Sequence, residues 1–238
     1  MSVVHLLVIN PNSSKSITDG LQESLDPCTP PNTRLSYFTA PSHAPAAISD
    51  VITANQTATV CYEALVQTKA IDEYDGFLVC CFSDHPLIHM LREHISSIQS
   101  TKPAIGMFEA GVSHALLVGR RFGVVSTGTG MKHTLIAGVR AFMGANSERF
   151  AGVTTSGLGV VELREGDRFR IEKLMKSTSV KTAEKGADVL ILGCAGMAGM
   201  EGLVKQGVRE AGLGEVKVID GAKAGVELLT GIARLSRS

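Results

Sequence analysis

The chain has 238 residues, of which 44% are hydrophobic and 19% charged, and its formal net charge is zero. Because phosphate neutralisation needs clustered Lys and Arg, this balance argues against a nucleic-acid partner. No apolar stretch reaches the roughly 18–20 residues of a membrane span, and the first residues lack the pattern of a signal peptide. Five cysteines, two of them adjacent, make a disulfide framework a poor interpretation, so we expect a cytoplasmic protein with reduced thiols.

Short apolar runs alternate with longer segments of helical periodicity along the chain. This alternation indicates βαβ units around buried parallel sheets, and therefore an α/β fold. The predicted strands are Val3–Ile9, Arg34–Phe38, Gly76–Cys81, Ala104–Met107, Phe122–Ser126, Gly152–Thr155, Val189–Gly193 and Val216–Ile219. The predicted helices include Ala47–Lys69, Gly111–Val118, Asp167–Lys185 and Gly221–Leu235. The proline-rich segment 26–45 is expected to be an extended loop that contains one strand.

The strand pattern occurs twice. Asp75–Cys81 and Asp188–Cys194 both read as Asp, five residues and then Cys, and Ile105–Val112 and Ile219–Val226 share Ile and Ala-Gly-Val at the same spacing. Matches in the same order at a nearly constant separation indicate an internal duplication. We therefore predict two similar lobes, each a parallel sheet flanked by helices, related by a pseudo-two-fold axis.

The predicted division of the chain follows from this duplication. The N-terminal α/β lobe is residues 1–100, with residues 216–238 packing back on it, and the C-terminal α/β lobe is residues 101–215. Two such lobes would face each other across one cleft.

Two cysteines occupy the duplicated position at the carboxyl ends of strands, where parallel α/β sheets bind ligands. Cys81 and Cys194 would approach one cleft from opposite sides, and we expect nearby helix N-termini to lower the pKa of both thiols. A thiolate and a thiol on opposite faces of a carbon acid can remove a proton and return it to the other face, which inverts the stereocentre. Cys28, Cys61 and Cys80 are interpreted as structural, and strand alternation predicts that Cys80 points away from Cys81.

At these residues the sequence resembles the hydantoin/allantoin racemase family of the aspartate/glutamate racemase superfamily. Ile9–Ser13, Cys81–Asp84 and Gly193–Met197 carry the resemblance most specifically, and it extends over essentially the whole chain. It implies the duplicated fold, Cys81 and Cys194 as the catalytic thiols, and racemisation without a metal or an organic cofactor such as pyridoxal phosphate.

Departures from the superfamily pattern indicate the substrate. Its amino-acid racemases carry Cys-Asn-Thr and Cys-Thr-His, where this chain has Cys-Phe-Ser and Cys-Ala-Gly. The aromatic and small residues suit a neutral ring amide, a 5-substituted hydantoin or allantoin, better than a zwitterion. Besides the two cysteines, the residues predicted to bind the substrate are Asn10, Phe82, Ser83, Ser126, Thr127, Ala195 and Gly196.

Other interpretations stay open. A lyase or isomerase of the same superfamily, such as a decarboxylase or a maleate isomerase, is the alternative enzyme, and a catalytically silent small-molecule-binding relative is the non-enzymatic one. His85 and His89 have the spacing of a metal pair on a helix, but the sequence offers no third ligand. Gly128-Thr-Gly130 matches part of a dinucleotide loop. We expect a small-molecule substrate, a homo-oligomer, and no nucleic-acid, membrane or metal partner.

Overall fold

The computed structural model describes residues 3–236, and its eight strands in that range form two parallel sheets. The strands are β1 Val4–Asn10, β2 Thr33–Thr39, β3 Gly76–Val79, β4 Ala104–Gly106, β5 Phe122–Ser126, β6 Phe150–Thr155, β7 Val189–Leu192 and β8 Lys217–Asp220. The first sheet has the order β2-β1-β3-β4, and the second has the order β6-β5-β7-β8. Every neighbouring pair is parallel. The repeated order confirms the predicted α/β fold with two similar halves.

Side-chain hydrogen bonds to free backbone amides fix where several of the helices begin. The helices are α1 Lys15–Leu25, α2 Val51–Gln67, α3 Ala70–Glu73, α4 Pro86–Ser97, α5 Met107–Val118, α6 Lys132–Met143, α7 Glu162–Glu165, α8 Arg168–Ala183, α9 Glu201–Glu210 and α10 Gly221–Ser236. Helix α2 begins later than predicted because Asp50 caps it, accepting the Thr53 amide at 2.7 Å. Helix α5 begins earlier than predicted because the Glu109 carboxylate accepts the Gly106 amide at 2.9 Å. Within residues 3–236, none of these helices has both the length and the hydropathy needed to cross a bilayer.

Strand side chains alternate between a central layer and two outer layers. In β1, Leu6 and Val8 pack in the central layer between the two sheets, whereas Leu7 and Ile9 pack against α2 and α4 on the outer side. Helices α8 and α9 cover the outer face of the second sheet in the same way. Each fully buried aliphatic side chain contributes about 1.5–3 kcal/mol, so burial on both faces holds the strands in register.

Two helices of the central layer each pack on the sheet of the other half. Helix α5 follows β4 but contacts β7 and β8, helix α10 follows β8 but contacts β1 and β3, and the two helices pack against each other. The strands differ from the predicted division at two points, because β4 pairs with β3 of the first sheet and β8 pairs with β7 of the second. The division into lobes otherwise stays a prediction, and the central helices join the two sheets into one core.

His85 has a structural position beneath the loop that follows β3. Its side chain is fully buried and caps α4, with Nδ1 accepting the Leu87 amide at 3.3 Å. The opposite nitrogen, Nε2, lies 3.2 Å from the Thr57 hydroxyl of α2. Burial lowers the pKa of His85 to about 4, so the ring is neutral and links α2 to α4. His89 instead pairs with Asp84 on the surface, so the two histidines do not converge on one point.

The buried His85 ring makes the fold sensitive to acid. Because its pKa is about 4 in the folded chain and near 6.5 when unfolded, the unfolded state binds an extra proton between those values. We expect stability to fall by roughly 3 kcal/mol from this group as the pH drops through that window. Chemical denaturation at a series of pH values measures it, and His85→Asn, which can still cap α4, should flatten the dependence. The exposed His43→Asn is the control, and an equal slope in wild type and His85→Asn would contradict the assignment.

Candidate active site

One small cavity lies at the carboxyl ends of the central strands of both sheets. Its lining residues come from both halves of the chain and are Asn12, Ile48, Cys80, Cys81, Phe82, Ser83, Ser126, Thr127, Met131, Leu135, Val160, Gly193, Cys194 and Ala195. The cavity volume is about 50 Å³, and a water molecule needs about 10–15 Å³ by this measure. The site therefore suits a compact small molecule, and it brings together the two duplicated cysteines.

Equivalent hydrogen bonds place the two cysteines. The residue before Cys81 continues the first sheet, with the Cys80 amide donating to the Ile9 carbonyl at 2.8 Å, and the Gly193 amide donates to the Val125 carbonyl at 2.7 Å in the second sheet. Gly193 is required there, because a Cβ would lie 2.9 Å from that carbonyl oxygen. Each cysteine thus follows directly on a strand pinned to the central strand of its sheet.

Burial dominates the electrostatics of both thiols. It raises the pKa of Cys81 to about 12, partly offset by a hydrogen bond with the Ser83 hydroxyl at 3.3 Å. It raises the pKa of Cys194 to about 11, partly offset by hydrogen bonds from the Gly196 amide and the Thr127 hydroxyl and by the charge of Arg164. The predicted lowering of both pKa values is therefore wrong. Helix α4 starts only at Pro86 and a short 3₁₀ turn follows Cys194, so no long helix begins at either sulfur.

The two sulfurs also affect each other. A negative charge on Cys194 raises the pKa of Cys81, because like charges in a buried site disfavour one another. The state with one thiolate and one thiol is consequently preferred over the doubly ionised state. Such a pair holds one base and one acid on the wall of a single cavity.

Most of the other predicted site residues line this cavity. Phe82 and Ala195 supply apolar surface, and Ser83, Ser126 and Thr127 supply hydroxyl groups. The Ser126 hydroxyl donates to the Gly193 carbonyl at 3.3 Å, which leaves its oxygen free to accept. In the described part of the chain, the amides of Phe82, Ser83 and Thr127 donate no hydrogen bond to the backbone. These donors are available to ligand carbonyl oxygens.

Asn10 and Gly196 do not line the cavity, and their contact with a substrate stays a prediction. The Asn10 side chain is fully buried, and its Nδ2 donates to Asn12, to the Ser14 carbonyl and to the Thr18 hydroxyl. Gly196 lies beneath the site, and its amide donates to the Cys194 sulfur. Both residues support lining residues instead of forming the wall.

Asn12 takes the place in the cavity that was predicted for Asn10. The side-chain oxygen Oδ1 of Asn12 accepts from Asn10 Nδ2 at 3.1 Å and from the Ser14 amide at 3.0 Å. Within residues 3–236, the side-chain nitrogen Nδ2 of Asn12 donates to no protein group, so it is a further donor at the cavity. The motif Ile9–Ser13 contains Asn12, and the end of β1 at Asn10 is the signal that could have identified it.

The sequence analysis did not identify the apolar part of the wall. Ile48 comes from the loop before α2, Met131 and Leu135 from the start of α6, and Val160 from the loop before α7. These segments lie far apart in sequence and outside the duplicated motifs. Only their packing across the cavity mouth, where the Ser49 carbonyl approaches Gly130, brings them together.

The remaining cysteines and the metal motif lie elsewhere. Cys80 packs in the central core and also contributes to the cavity wall, so its predicted direction away from the site is only partly right. Cys61 is buried, with its sulfur 3.5 Å from the Pro11 carbonyl, and Cys28 is exposed. Among the described residues, no three His, Cys, Asp or Glu side chains form a group that could hold a metal ion.

Comparisons with known proteins agree with this architecture. The sequence profile of the family described as Asp/Glu/Hydantoin racemase matches residues 6–229. Uncharacterized protein C1F7.10 of Schizosaccharomyces pombe is 37% identical over 98% of this chain and 94% of its own length. Hydantoin racemase of Paenarthrobacter aurescens is 27% identical over 82% of this chain and 79% of its own length. The structure of allantoin racemase from Klebsiella pneumoniae covers 98% of this chain with 88% of its own, at a TM-score of 0.83 and 24% identity.

Separate hydrogen bonds to the two sulfurs allow their reactivities to be changed one at a time. Ser83→Ala should raise the pKa of Cys81 alone and Thr127→Val that of Cys194 alone, because each hydroxyl stabilises one thiolate. A hydrogen bond worth about 1 kcal/mol corresponds to roughly fivefold slower alkylation. Site-resolved mass spectrometry after iodoacetamide treatment measures both rates in the same sample. The exposed Cys28 is the internal control, and equal slowing of Cys81 and Cys194 in either variant would contradict the prediction.

Proposed function

The chain belongs to the Asp/Glu/Hydantoin racemase family, and we propose that it racemises a 5-substituted hydantoin or allantoin with Cys81 and Cys194 as its acid and base. It is an isomerase of the racemase type. The observation that carries the proposal is the convergence of both thiols on one cavity that, among the described residues, no Lys, Arg, Asp, Glu or His side chain lines. The two sulfurs provide both protonation states that the reaction needs, and no cofactor takes part.

The proposed reaction moves one proton across the plane of the ring. A thiolate removes the proton from the ring carbon that bears the substituent, and the electron pair of the broken C–H bond moves into the adjacent carbonyl to form an enolate. The thiol on the other side then donates its proton to the opposite face of that carbon. The product is the other enantiomer, and the thiolate and the thiol have exchanged places.

Neutral donors around the cavity support stabilisation of the enolate. The Asn12 side chain and the amides of Phe82, Ser83 and Thr127 are available to ring carbonyl oxygens. Preorganised donors of this kind act most strongly where charge develops in a water-poor site. They favour a ring substrate that carries carbonyl groups, such as a cyclic imide or a cyclic amide.

The uncharged wall favours a neutral substrate. Among residues 3–236, no Lys, Arg, Asp, Glu or His lines the cavity, whereas a zwitterionic amino acid would need partners for both of its charges. The relative from Paenarthrobacter aurescens is named a hydantoin racemase. A cytoplasmic location and a homo-oligomeric assembly stay predictions from the sequence.

A panel of enantiopure substrates tests the substrate class. We expect 5-substituted hydantoins or allantoin to lose optical rotation and free aspartate and glutamate to keep it, because a buried charge without a partner costs several kcal/mol. Polarimetry with and without enzyme measures both, and the spontaneous rate is subtracted. Turnover of either amino acid at a rate comparable to that of a hydantoin would overturn the substrate assignment. Absence of turnover with the whole panel would favour the silent binding relative.

Replacing one cysteine at a time tests the two-face mechanism. Cys81→Ser and Cys194→Ser should each stop racemisation, because a serine hydroxyl is too weak an acid and base near neutral pH. The remaining sulfur can still remove and return a proton on its own face. In deuterated water, each variant should therefore exchange the ring hydrogen of one enantiomer with retained configuration, and the two variants should select opposite enantiomers. Proton NMR measures this exchange.

Cys28→Ser is the matched control, because this thiol is exposed and lies outside the cavity. It should racemise the substrate like the wild type. The same enantiomer preference in both cavity variants, after correction for spontaneous exchange, counts against the mechanism. Full racemase activity in either variant refutes it.

A further inference from the structure

Arg164 lies where α7 meets the segment that begins with Cys194. Its Nη2 donates to the Ala198 carbonyl at 2.9 Å, immediately after the 3₁₀ turn Ala195–Met197. Helix α7 also contacts that turn and helix α1 of the first half. The guanidinium therefore connects the backbone behind one thiol to a helix from the other half of the chain.

Gly20 in α1 makes room for this guanidinium. A Cβ on Gly20 would lie 2.1 Å from Arg164 Nη2 and 2.2 Å from Cζ, so no other residue fits while the arginine keeps its place. Glycine inside a helix costs roughly 0.5–1 kcal/mol relative to alanine. Helix α1 is therefore less stable than it would be with alanine at this position, and the space at Gly20 accommodates the Arg164 side chain.

The positive charge of Arg164 has no carboxylate partner within 4 Å among the described residues. Its Nε is buried and donates to no acceptor in the described part of the chain. The side chain as a whole is half-buried, and a cation held behind the segment of Cys194 with an unpaired nitrogen favours negative charge on that side of the cavity. The charge of Arg164 accordingly lowers the pKa of Cys194.

Among the described residues, no cation acts on the ionisation of Cys81 in this way. The groups that act on its ionisation are the Ser83 hydroxyl and Cys194 itself, which raises the pKa of Cys81 once it is ionised. For Cys194 they are the Gly196 amide, the Thr127 hydroxyl and Arg164. The two cysteines hold equivalent positions in the two halves, but among the described residues only the thiolate of Cys194 is stabilised by a cation.

We propose that Arg164, seated on Gly20, is a positioning residue that makes Cys194 the first of the two thiols to ionise, and so the base, with Cys81 as the acid. The assignment of base and acid rests on the proposed racemisation, whereas the difference in thiol ionisation does not. The enantiomer whose ring hydrogen faces Cys194 meets the sulfur that more readily becomes a thiolate. Because racemisation has an equilibrium constant of one, kcat/KM must be equal in both directions, so the asymmetry can appear only in kcat and KM taken separately.

Site-resolved alkylation across a range of alkaline pH tests the ionisation without any substrate. In the wild type, Cys194 should react at lower pH than Cys81. In Arg164→Met, alkylation of Cys194 should slow by about tenfold at a given pH, the effect of a pKa shift of one unit, while that of Cys81 does not slow. Arg164→Lys keeps the charge and should restore most of the Cys194 reactivity.

Gly20→Ala provides a second test in which the arginine is kept. Alanine favours the helix, yet its Cβ displaces the guanidinium, so Cys194 should again react more slowly without a loss of helical structure. Gly202→Ala in α9 is the matched control, because a Cβ there meets nothing within 4 Å. It should leave both alkylation profiles unchanged.

An unchanged Cys194 profile in folded Arg164→Met and Gly20→Ala overturns the proposal, and so does equal slowing of both cysteines, which would indicate general loosening. If Arg164→Met does not fold, the Gly20→Ala profile decides. Failure of the proposed function has a different signature. The Cys194 profile would then shift as expected in these variants, while the wild type would leave every hydantoin and allantoin unchanged.

Discussion

The chemistry proposed for this protein depends on the mutual electrostatic effect of two thiols in one cavity. Burial raises the pKa of Cys81 to about 12 and that of Cys194 to about 11, and ionisation of one opposes ionisation of the other. Because a charge on one sulfur raises the pKa of the other, the pair favours a single negative charge. In the proposed reaction, one sulfur then serves as the base and the other as the acid. Burial, which makes each thiol a poor base alone, also strengthens the interactions that can stabilise charge inside the site.

The fold holds this pair in place through repeated and reciprocal packing. Both sheets have the same strand order, and in each of them a cysteine follows the strand beside the central β1 or β5. Helices α5 and α10 pack across to the opposite sheet, so one central core spans both halves. Because side chains in such a core are close-packed, the two halves cannot shift independently, and the separation of the sulfurs is set by the packing.

A symmetric scaffold can still hold an asymmetric site. The hydrogen bonds that place Cys80 and Gly193 are equivalent, whereas the surroundings of the two sulfurs differ. Among the described residues, the Ser83 hydroxyl stabilises the thiolate of Cys81. An amide, a hydroxyl and the charge of Arg164 stabilise that of Cys194. Duplication explains the shared geometry, and later differences between the copies explain the unequal chemistry. Mutual repulsion alone favours one thiolate beside one thiol, and the unequal surroundings favour Cys194 as the sulfur that ionises.

The sequence by itself determined the α/β class, the strands and the duplicated cysteines. Apolar runs such as Leu6–Ile9 report burial on both faces of a strand, and this is a local property of the chain. The residues that follow such strands were also mostly predictable, as Phe82, Ser83, Ser126 and Thr127 show, because the carboxyl ends of parallel strands meet at one edge.

Only the tertiary structure decided the rest, because those properties depend on contacts between distant segments. Ile48 reaches the cavity by the packing of loops that no local pattern joins, and Asn12 replaced Asn10 there because hydrogen bonds turn Asn10 into the interior. The direction of both thiol pKa shifts was also decided by burial, which exceeds the local hydrogen bonds. Desolvation is a sum over all neighbouring atoms, and those neighbours exist only after the two halves have packed together.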